Sequence, residues 1–322
     1  MQKTLKKIIR EILVLIGSLS DKSLIKIINL IEQNFLKDPV YIQGAEKMKK
    51  EIQTGGMQSK YVLIRKIFKS LSKNSQRKII ENFLLNESIL GRNGREKVKR
   101  KFGLNPPWTM VISPTARCNL YCQGCYAGEY NKDYDLPYSE VDRILTEAKV
   151  LSIYYVTISG GEPFIWPHLL KIFAKHNDVY FQVYTNGTLI DKKMAEQLAQ
   201  LGNVMLGISV EGLEKETDTR RSPGVFKKVI QAMDNLKEAG LLFGFSATPT
   251  RYNSELIMSD KFIDFYIEKG CTFGWYFQYA PIGLKPDVCL MATPEQRNNL
   301  RIRVNEIRNT KPIFIGDFWN DS

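Results

Sequence analysis

The amino-acid sequence predicts an α/β protein, a partial (β/α)6 TIM-like barrel preceded by an all-helical N-terminal domain. Three observations predict it. The apolar pattern changes period at Pro106-Pro107, from helical spacing before it to short β-branched and aromatic runs after it. Those runs alternate six times with helix-compatible stretches, which implies a parallel sheet with right-handed crossovers. The charge divides at the same place. Residues 1–101 carry 23 Lys and Arg against 9 Asp and Glu, whereas residues 102–322 carry 23 against 25. The net charge of +12 therefore belongs to the first third of the chain, and the division predicts two pieces, 1–104 and 105–322.

The elements follow in order. In Lys3–Ile16, Lys3, Lys6, Lys7 and Arg10 share one helical face, while Leu5, Ile8, Ile9, Ile12 and Ile16 line the other. Asp21–Phe35 repeats the habit with Leu24, Ile27, Ile28 and Ile31. Lys60–Leu71 and Ser75–Leu85 read as further helices, the latter capped by Ser75. Thr54-Gly55-Gly56 and Gly91-Arg92-Asn93-Gly94 read as breaks. Beyond Pro107 the expected strands are Thr109–Pro114, Tyr154–Ser159, Tyr180–Thr185, Val204–Ser209, Phe243–Pro249 and Phe273–Pro281. The intervening helices are Ser139–Leu151, His168–His176, Lys192–Leu201, Phe226–Ala239 and Ser254–Lys269.

Composition narrows the class. Hydrophobic residues make up 43% and charged residues 25%, which excludes a disordered or fibrous chain. No apolar run reaches the roughly 18–20 residues of a membrane span. Met1–Ser20 has a basic start and a short apolar run, but Glu11 interrupts it and no small-residue cleavage site follows, so a cytoplasmic protein is expected.

Three of the five cysteines, Cys118, Cys122 and Cys125, fall within eight residues after the first strand. A C-x3-C-x2-C loop can bring three thiolates to one inorganic centre in a reducing compartment. A four-iron cluster held this way keeps one iron open for a small molecule. A structural zinc site is the alternative, and it needs a fourth ligand from His168, His176, Cys271 or Cys289. At the next strand ends stand Ser159-Gly160-Gly161-Glu162-Pro163, then Thr185-Asn186-Gly187-Thr188, then Ser209-Val210-Glu211-Gly212. Two glycines permit close backbone approach to a ligand, whose ammonium the carbonyls can accept, and Ser209 can meet a ribose hydroxyl. Chemistry gathered at the C-terminal ends of strands is the habit of β/α barrels.

In this order, the cysteine loop and the Gly-Gly-Glu-Pro turn give residues 105–322 a resemblance to the radical S-adenosylmethionine (radical SAM) superfamily. The resemblance implies that Cys118, Cys122 and Cys125 hold a [4Fe–4S] cluster. It implies that Ser159, Gly160, Gly161, Glu162, Asn186, Ser209 and Arg221 form the S-adenosylmethionine (SAM) site, Arg221 through the D-x-x-R of Asp218–Arg221. The activity implied is reductive cleavage of SAM to methionine and a 5′-deoxyadenosyl radical that takes hydrogen from a substrate. No side-chain acid or base is demanded by that step. Gly124 departs from the aromatic residue that many members carry before the third cysteine, so the adenine contacts stay unassigned, with Tyr121 and Tyr126 as the neighbouring candidates.

The segments Phe277–Gly283, Thr293–Arg297 and Gly316–Asn320 resemble the barrel end of members that continue into a SPASM-type auxiliary-cluster domain. The chain ends at Ser322 and has only Cys271 and Cys289 to spare, so either a shortened chain or a single-cluster enzyme is expected. The relatives suggest a peptide or protein substrate and a reducing electron donor of the flavodoxin or ferredoxin type. The basic first helix adds a lipid substrate and peripheral contact with an anionic membrane as an alternative, with nucleic acid ranked last. A non-catalytic metal-binding scaffold is the competing class.

Overall fold

Seven parallel strands lie side by side in chain order: β1 (Thr109–Ile112), β2 (Tyr155–Ile158), β3 (Tyr180–Thr185), β4 (Val204–Val210), β5 (Phe243–Ala247), β6 (Phe273–Tyr276) and β7 (Phe314–Asp317). The computed structural model describes residues 21–35, 39–53, 60–283 and 285–321. The expected helix Lys3–Ile16 and the Thr54-Gly55-Gly56 break lie outside those residues. β1 and β7 are the two edges and do not pair with each other, so the sheet is a half-barrel with an open side. The seventh strand adds to the six expected.

Each of the first six strands is followed by helix, which covers the outer face. Ile158, Phe181, Val183, Leu206, Ile208 and Phe245 are all at most 1% exposed on that face, against helices that include Tyr138–Val150, Lys192–Leu201 and Val225–Ala239. Each such side chain contributes about 1.5–3 kcal/mol on burial, so this layer fixes the sheet. The expected helix Ser254–Lys269 divides at Ser259, whose backbone is extended (ψ 153°) and whose hydroxyl accepts from the Phe262 amide. A further helix, Pro294–Thr310, opens with the capping pair Thr293 and Gln296 and leads into β7.

The helices before β1 do two things. Asp21–Phe35, Pro39–Gln53 and Lys60–Ser70 pack on one another. The stretch from Lys73 to Phe102 instead runs beneath the N-terminal ends of the strands as a floor. It is α-helical over Lys73–Lys78, π-wound over Ile79–Gly91, and α-helical again over Arg92–Phe102. Asn82 Nδ2 donates to the Val179 carbonyl (3.0 Å), Asn86 Nδ2 to Asp178 (3.0 Å), and Glu87 Oε2 accepts from the Tyr154 amide (2.8 Å). Arg95 pairs with Glu87 at 2.7 Å and also donates to the Ser152 carbonyl at 2.8 Å.

This floor corrects two expectations. The cap is Ser72, whose hydroxyl accepts from the Ser75 amide, and not Ser75, which is buried. Gly91 and Gly94 do not break the chain. The helix passes through them because it needs their missing side chains: a Cβ on Gly94 would lie 2.6 Å from Ser152 Cβ and closer still to its hydroxyl. No described helix is long and apolar enough to cross a membrane.

Candidate functional site

The loop after β1 is held by its own backbone before any ligand is considered. Thr115 Oγ1 accepts from the Arg117 amide (3.0 Å), the Leu136 amide donates to Pro114 (2.8 Å), and Arg117 pairs with Asp135. The turn after β2 is then clipped onto it. The amides of Ser159, Gly161 and Glu162 donate to the carbonyls of Ile112, Thr115 and Arg117 at 3.0, 2.9 and 2.8 Å. Gly160 adopts φ +116°, and a Cβ there would lie 2.5 Å from the Thr115 carbonyl. A Cβ on Gly161 would lie 2.6 Å from the Ala116 carbonyl and closer to that of Arg117. The two glycines thus permit close approach to the cysteine loop, beside the approach to a ligand that the sequence reading expects of them.

Glu162 is fully buried, and both its oxygens are used. Oε1 accepts from Thr185 Oγ1 (2.7 Å) and the Phe164 amide (3.2 Å), while Oε2 accepts from the Asn186 amide (2.7 Å). Burial pushes its carboxyl above the usual range, and those three donors pull it back. Through Glu162 the ends of β2 and β3 become one unit. Asn186 extends the unit to the cysteines, with Nδ2 2.8 Å from Asn119 Oδ1 and 3.8 Å from Cys118 Sγ.

The third arm comes from β4. Arg221 Nε and Nη2 donate to Glu211 Oε1 at 2.9 and 2.6 Å, and Nη1 lies 3.9 Å from Cys122 Sγ. Arg220 pairs with the same carboxylate (2.6 Å), and its Nε donates to the Gln123 carbonyl (3.1 Å). Asp218 accepts from the amides of Gly224 and Phe226, each at 2.7 Å, and so fixes the start of the next helix. Burial pushes the Cys118 and Cys122 thiols up, while Arg221 and then Arg220 oppose this at Cys122. Two cations beside a thiol favour the thiolate that iron requires.

The expected residues therefore meet as follows. Gly160, Gly161, Glu162, Asn186 and Arg221 converge on the loop of Cys118, Cys122 and Cys125. Ser159 joins through its hydroxyl, 3.1 Å from Tyr126 Oη. Ser209 stands apart on the inner face of β4, in register with Ser246. Tyr121 is exposed, with Lys132 over its ring. The sequence reading missed Tyr279, whose ring fills the space beside Gly124: a Cβ there would lie 2.7 Å from Tyr279 Cε2. It also missed Glu211 as the shared partner of Arg220 and Arg221, although the adjacent arginines were a visible signal.

The inner face of the sheet is uncharged. Thr157, Gln182, Tyr184, Ser209, Ser246 and Trp275 share that face by register, and none of its strand positions holds Asp, Glu, Lys, Arg or His. Gln182 links Tyr155 to Tyr184 by hydrogen bonds. Phe277 leans edge-on against Tyr184 (5.3 Å) and meets Phe318 (5.4 Å), giving one aromatic wall.

Among the described residues no three His, Cys, Asp or Glu side chains group around a single ion. His176 is bonded to Asp142 (2.8 Å), Cys271 is wholly buried in the core, and His168 packs on Tyr138 and Trp166. Three candidates for a fourth zinc ligand are thus engaged elsewhere. Three thiols on one loop complete the protein's share of a [4Fe–4S] cluster with one open iron, whereas a structural zinc ion needs a fourth ligand.

Residues 112–250 match the family model described as the Radical SAM superfamily. The chain is 31% identical over 220 residues to the mycofactocin maturase MftC of Mycobacterium tuberculosis, covering 67% of this chain and 56% of that one. It is 29% identical over 158 residues to the PqqA peptide cyclase of Granulibacter bethesdensis, covering 47% and 42%. Among solved structures it resembles SuiB of Streptococcus suis bound to S-adenosylmethionine, with TM-score 0.59 and 21% identity over 86% of this chain and 62% of that one. The chain spans about half the length of the curated relatives it matches.

Proposed function

The chain belongs to the radical SAM superfamily, whose members use a [4Fe–4S] cluster and SAM, and from that premise we propose that it is an enzyme that modifies a peptide or protein by hydrogen abstraction. When bound, the cluster and SAM supply one-electron reductive cleavage and, through it, abstraction of a hydrogen atom from the substrate. Cys118, Cys122 and Cys125 hold the cluster. Asn186 orients Cys118, and Arg221 with Arg220 offsets the negative charge at Cys122. Glu162 positions the turn through Thr185, Phe164 and Asn186, and with Gly160 and Gly161 it faces the methionine end of SAM. The carbonyls of Ser159 and Gly160 and the hydroxyl of Ser209 are left to bind SAM.

The observation that carries this reading is the three-way lock on the cysteine loop, by the Gly-Gly-Glu turn, Asn186 and Arg221. An uncharged inner face supports it, because hydrogen-atom transfer asks for no side-chain acid or base while water must be kept out. The peptide class is supported by the relative named a peptide cyclase. A flavodoxin or ferredoxin-type reductant remains part of the proposal. The membrane and lipid alternative rests on Lys3–Ile16, which lies outside the described residues.

The test is anaerobic reconstitution with iron and sulfide, then dithionite and SAM, with 5′-deoxyadenosine measured by mass spectrometry. Cleavage that disappears in Cys118→Ala, Cys122→Ala and Cys125→Ala is expected. Stoichiometric zinc, no labile sulfide and no cleavage would establish the scaffold instead.

A further inference from the structure

A second feature lies on the same rim of the half-barrel, away from the cysteine loop. A cavity of about 530 Å³ is lined by Arg251 after β5, Arg297 and Arg301 on the Pro294–Thr310 helix, and Asn320 after β7. No Asp or Glu lines it. A sphere of that volume is about 10 Å across, comparable with the Debye length of about 8 Å at physiological salt, so the three guanidiniums feel one another. Seven other arginines, Arg95, Arg117, Arg143, Arg220, Arg221, Arg303 and Arg308, have carboxylate partners, whereas Arg100 on the floor helix is exposed to solvent. Among the described residues, Arg251, Arg297 and Arg301 have none. Arg251 Nε donates to the Met291 carbonyl (3.3 Å) and Arg301 Nη2 to Asn298 (3.0 Å), which positions both without neutralising either. Of the carboxylates close by, Asp287 Oδ1 accepts from the Cys289 amide and Asp317 from Asn320 and Trp319, while Glu295, in the first turn of the same helix, is exposed and does not line the cavity.

We propose that this cavity is a carboxylate-binding subsite that captures an acidic residue of the peptide substrate. It deepens the peptide reading above and rests on it. Guanidinium forks match carboxylates in two-point geometry, and three of them around one space favour an acidic side chain over a neutral or basic one. The place suits an anchor. Asn320 follows Phe318-Trp319, and Phe318 meets Phe277 at the mouth of the uncharged interior. An acidic residue held by the arginines puts its neighbours in the peptide against that aromatic wall. The interior then receives an uncharged residue, and the charge stays outside.

The test uses the full chain and isothermal titration with acetylated tetraglutamate amide, tetraglutamine amide and inorganic phosphate. Tetraglutamate is expected to bind with strong salt dependence and tetraglutamine not at all. Arg297→Gln with Arg301→Gln should weaken tetraglutamate binding about tenfold, and Arg251→Gln alone about threefold. Lys97→Gln with Lys99→Gln, on the exposed basic helix of the floor, should leave it unchanged. Binding that survives the arginine variants, or falls equally in the lysine variant, would overturn the subsite. Phosphate binding that is lost in the arginine variants while tetraglutamate fails to bind would replace carboxylate by phosphate as its ligand. All three arginines are exposed, so the variants should fold, and unchanged circular dichroism verifies it. SAM cleavage with dithionite is expected to be intact in every variant, so failure of the enzyme reading and failure of the subsite are separable.

Discussion

Replacing Gly161 by alanine tests the lock between the two loops most directly. The added Cβ would lie 2.6 Å from the Ala116 carbonyl oxygen and from the Arg117 carbonyl carbon, and closer to the Arg117 oxygen. These are backbone atoms, which cannot swing aside as a side chain can. To relieve the overlap the turn must lift off, and it then loses the bonds from the Gly161 and Glu162 amides to Thr115 and Arg117. Two hydrogen bonds at about 0.5–1.5 kcal/mol each, with about 1–3 kcal/mol of overpacking, give a cost of about 2–6 kcal/mol. At about 2–4 °C per kcal/mol for a chain of this class, the melting temperature should fall by at least about 4 °C. Iron retained after reconstitution should fall with it, because the displaced strand of backbone carries the approach to Cys118. Gly44→Ala is the control: nothing lies within 4 Å of its Cβ, and in a helix it should stabilise by about 0.5–1 kcal/mol. A Gly161→Ala protein that melts with the wild type and holds the same iron would refute the argument that the cysteine loop demands this glycine.

Other outcomes follow from the same geometry. Arg221→Ala should cost about 1–3 kcal/mol in urea unfolding, since it strips two hydrogen bonds from a buried Glu211 that keeps Arg220 as a partner; a loss below about 0.5 kcal/mol would make that pair dispensable. Gly94→Ala should destabilise the wild type but much less the Ser152→Gly background, where the obstructing side chain is gone and the residue's φ of +63° becomes easy. Additive effects in that double-mutant cycle would contradict the proposed contact. Burial, opposed by Asp142, holds the His176 imidazole below its ordinary value. The unfolded chain then binds the proton more readily, so this contribution to stability is complete above about pH 6.5 and is lost as pH falls below it. His176→Gln should flatten the melting profile between pH 7 and 5, and an unchanged slope there would assign the acid sensitivity to other groups.

Much of the site was legible because its chemistry is local in sequence. Three cysteines within eight residues and a Gly-Gly-Glu-Pro turn announce themselves, and the strands that carry them alternate in a readable period. The parts that were not legible depend on distant partners. Gly91 and Gly94 look like breaks until Ser152 is seen against them. Glu162 reads as a ligand-binding carboxylate, and the structure adds its bonds to Thr185 and Asn186, which tie β2 to β3. Arg221 reads as a SAM partner, and the structure adds Glu211 and Cys122 on either side of it. β7 has four residues, two of them Gly316 and Asp317, and so gives too short an apolar signal to identify a strand. The basic excess of the first third also divides: Arg95 is spent inside the floor, whereas Lys97, Lys99, Arg100 and Lys101 remain in solvent.

The floor has a consequence for how the chain comes to be folded. Asn74, Asn82, Asn86 and Arg95 reach the carbonyls of Gln200, Val179, Asp178 and Ser152, partners 126, 97, 92 and 57 residues further on. A ribosome delivers this stretch long before it delivers what the stretch must bind. Contacts so remote in sequence form late, after the entropy of closing large loops has been met. During synthesis Ile80, Leu85 and Ile89, buried in the finished molecule, must wait without their docking site. Proteolysis of stalled nascent chains should therefore cut residues 73–102 until β4 has emerged. A stretch made before every strand of the sheet is thus among the last to take its place.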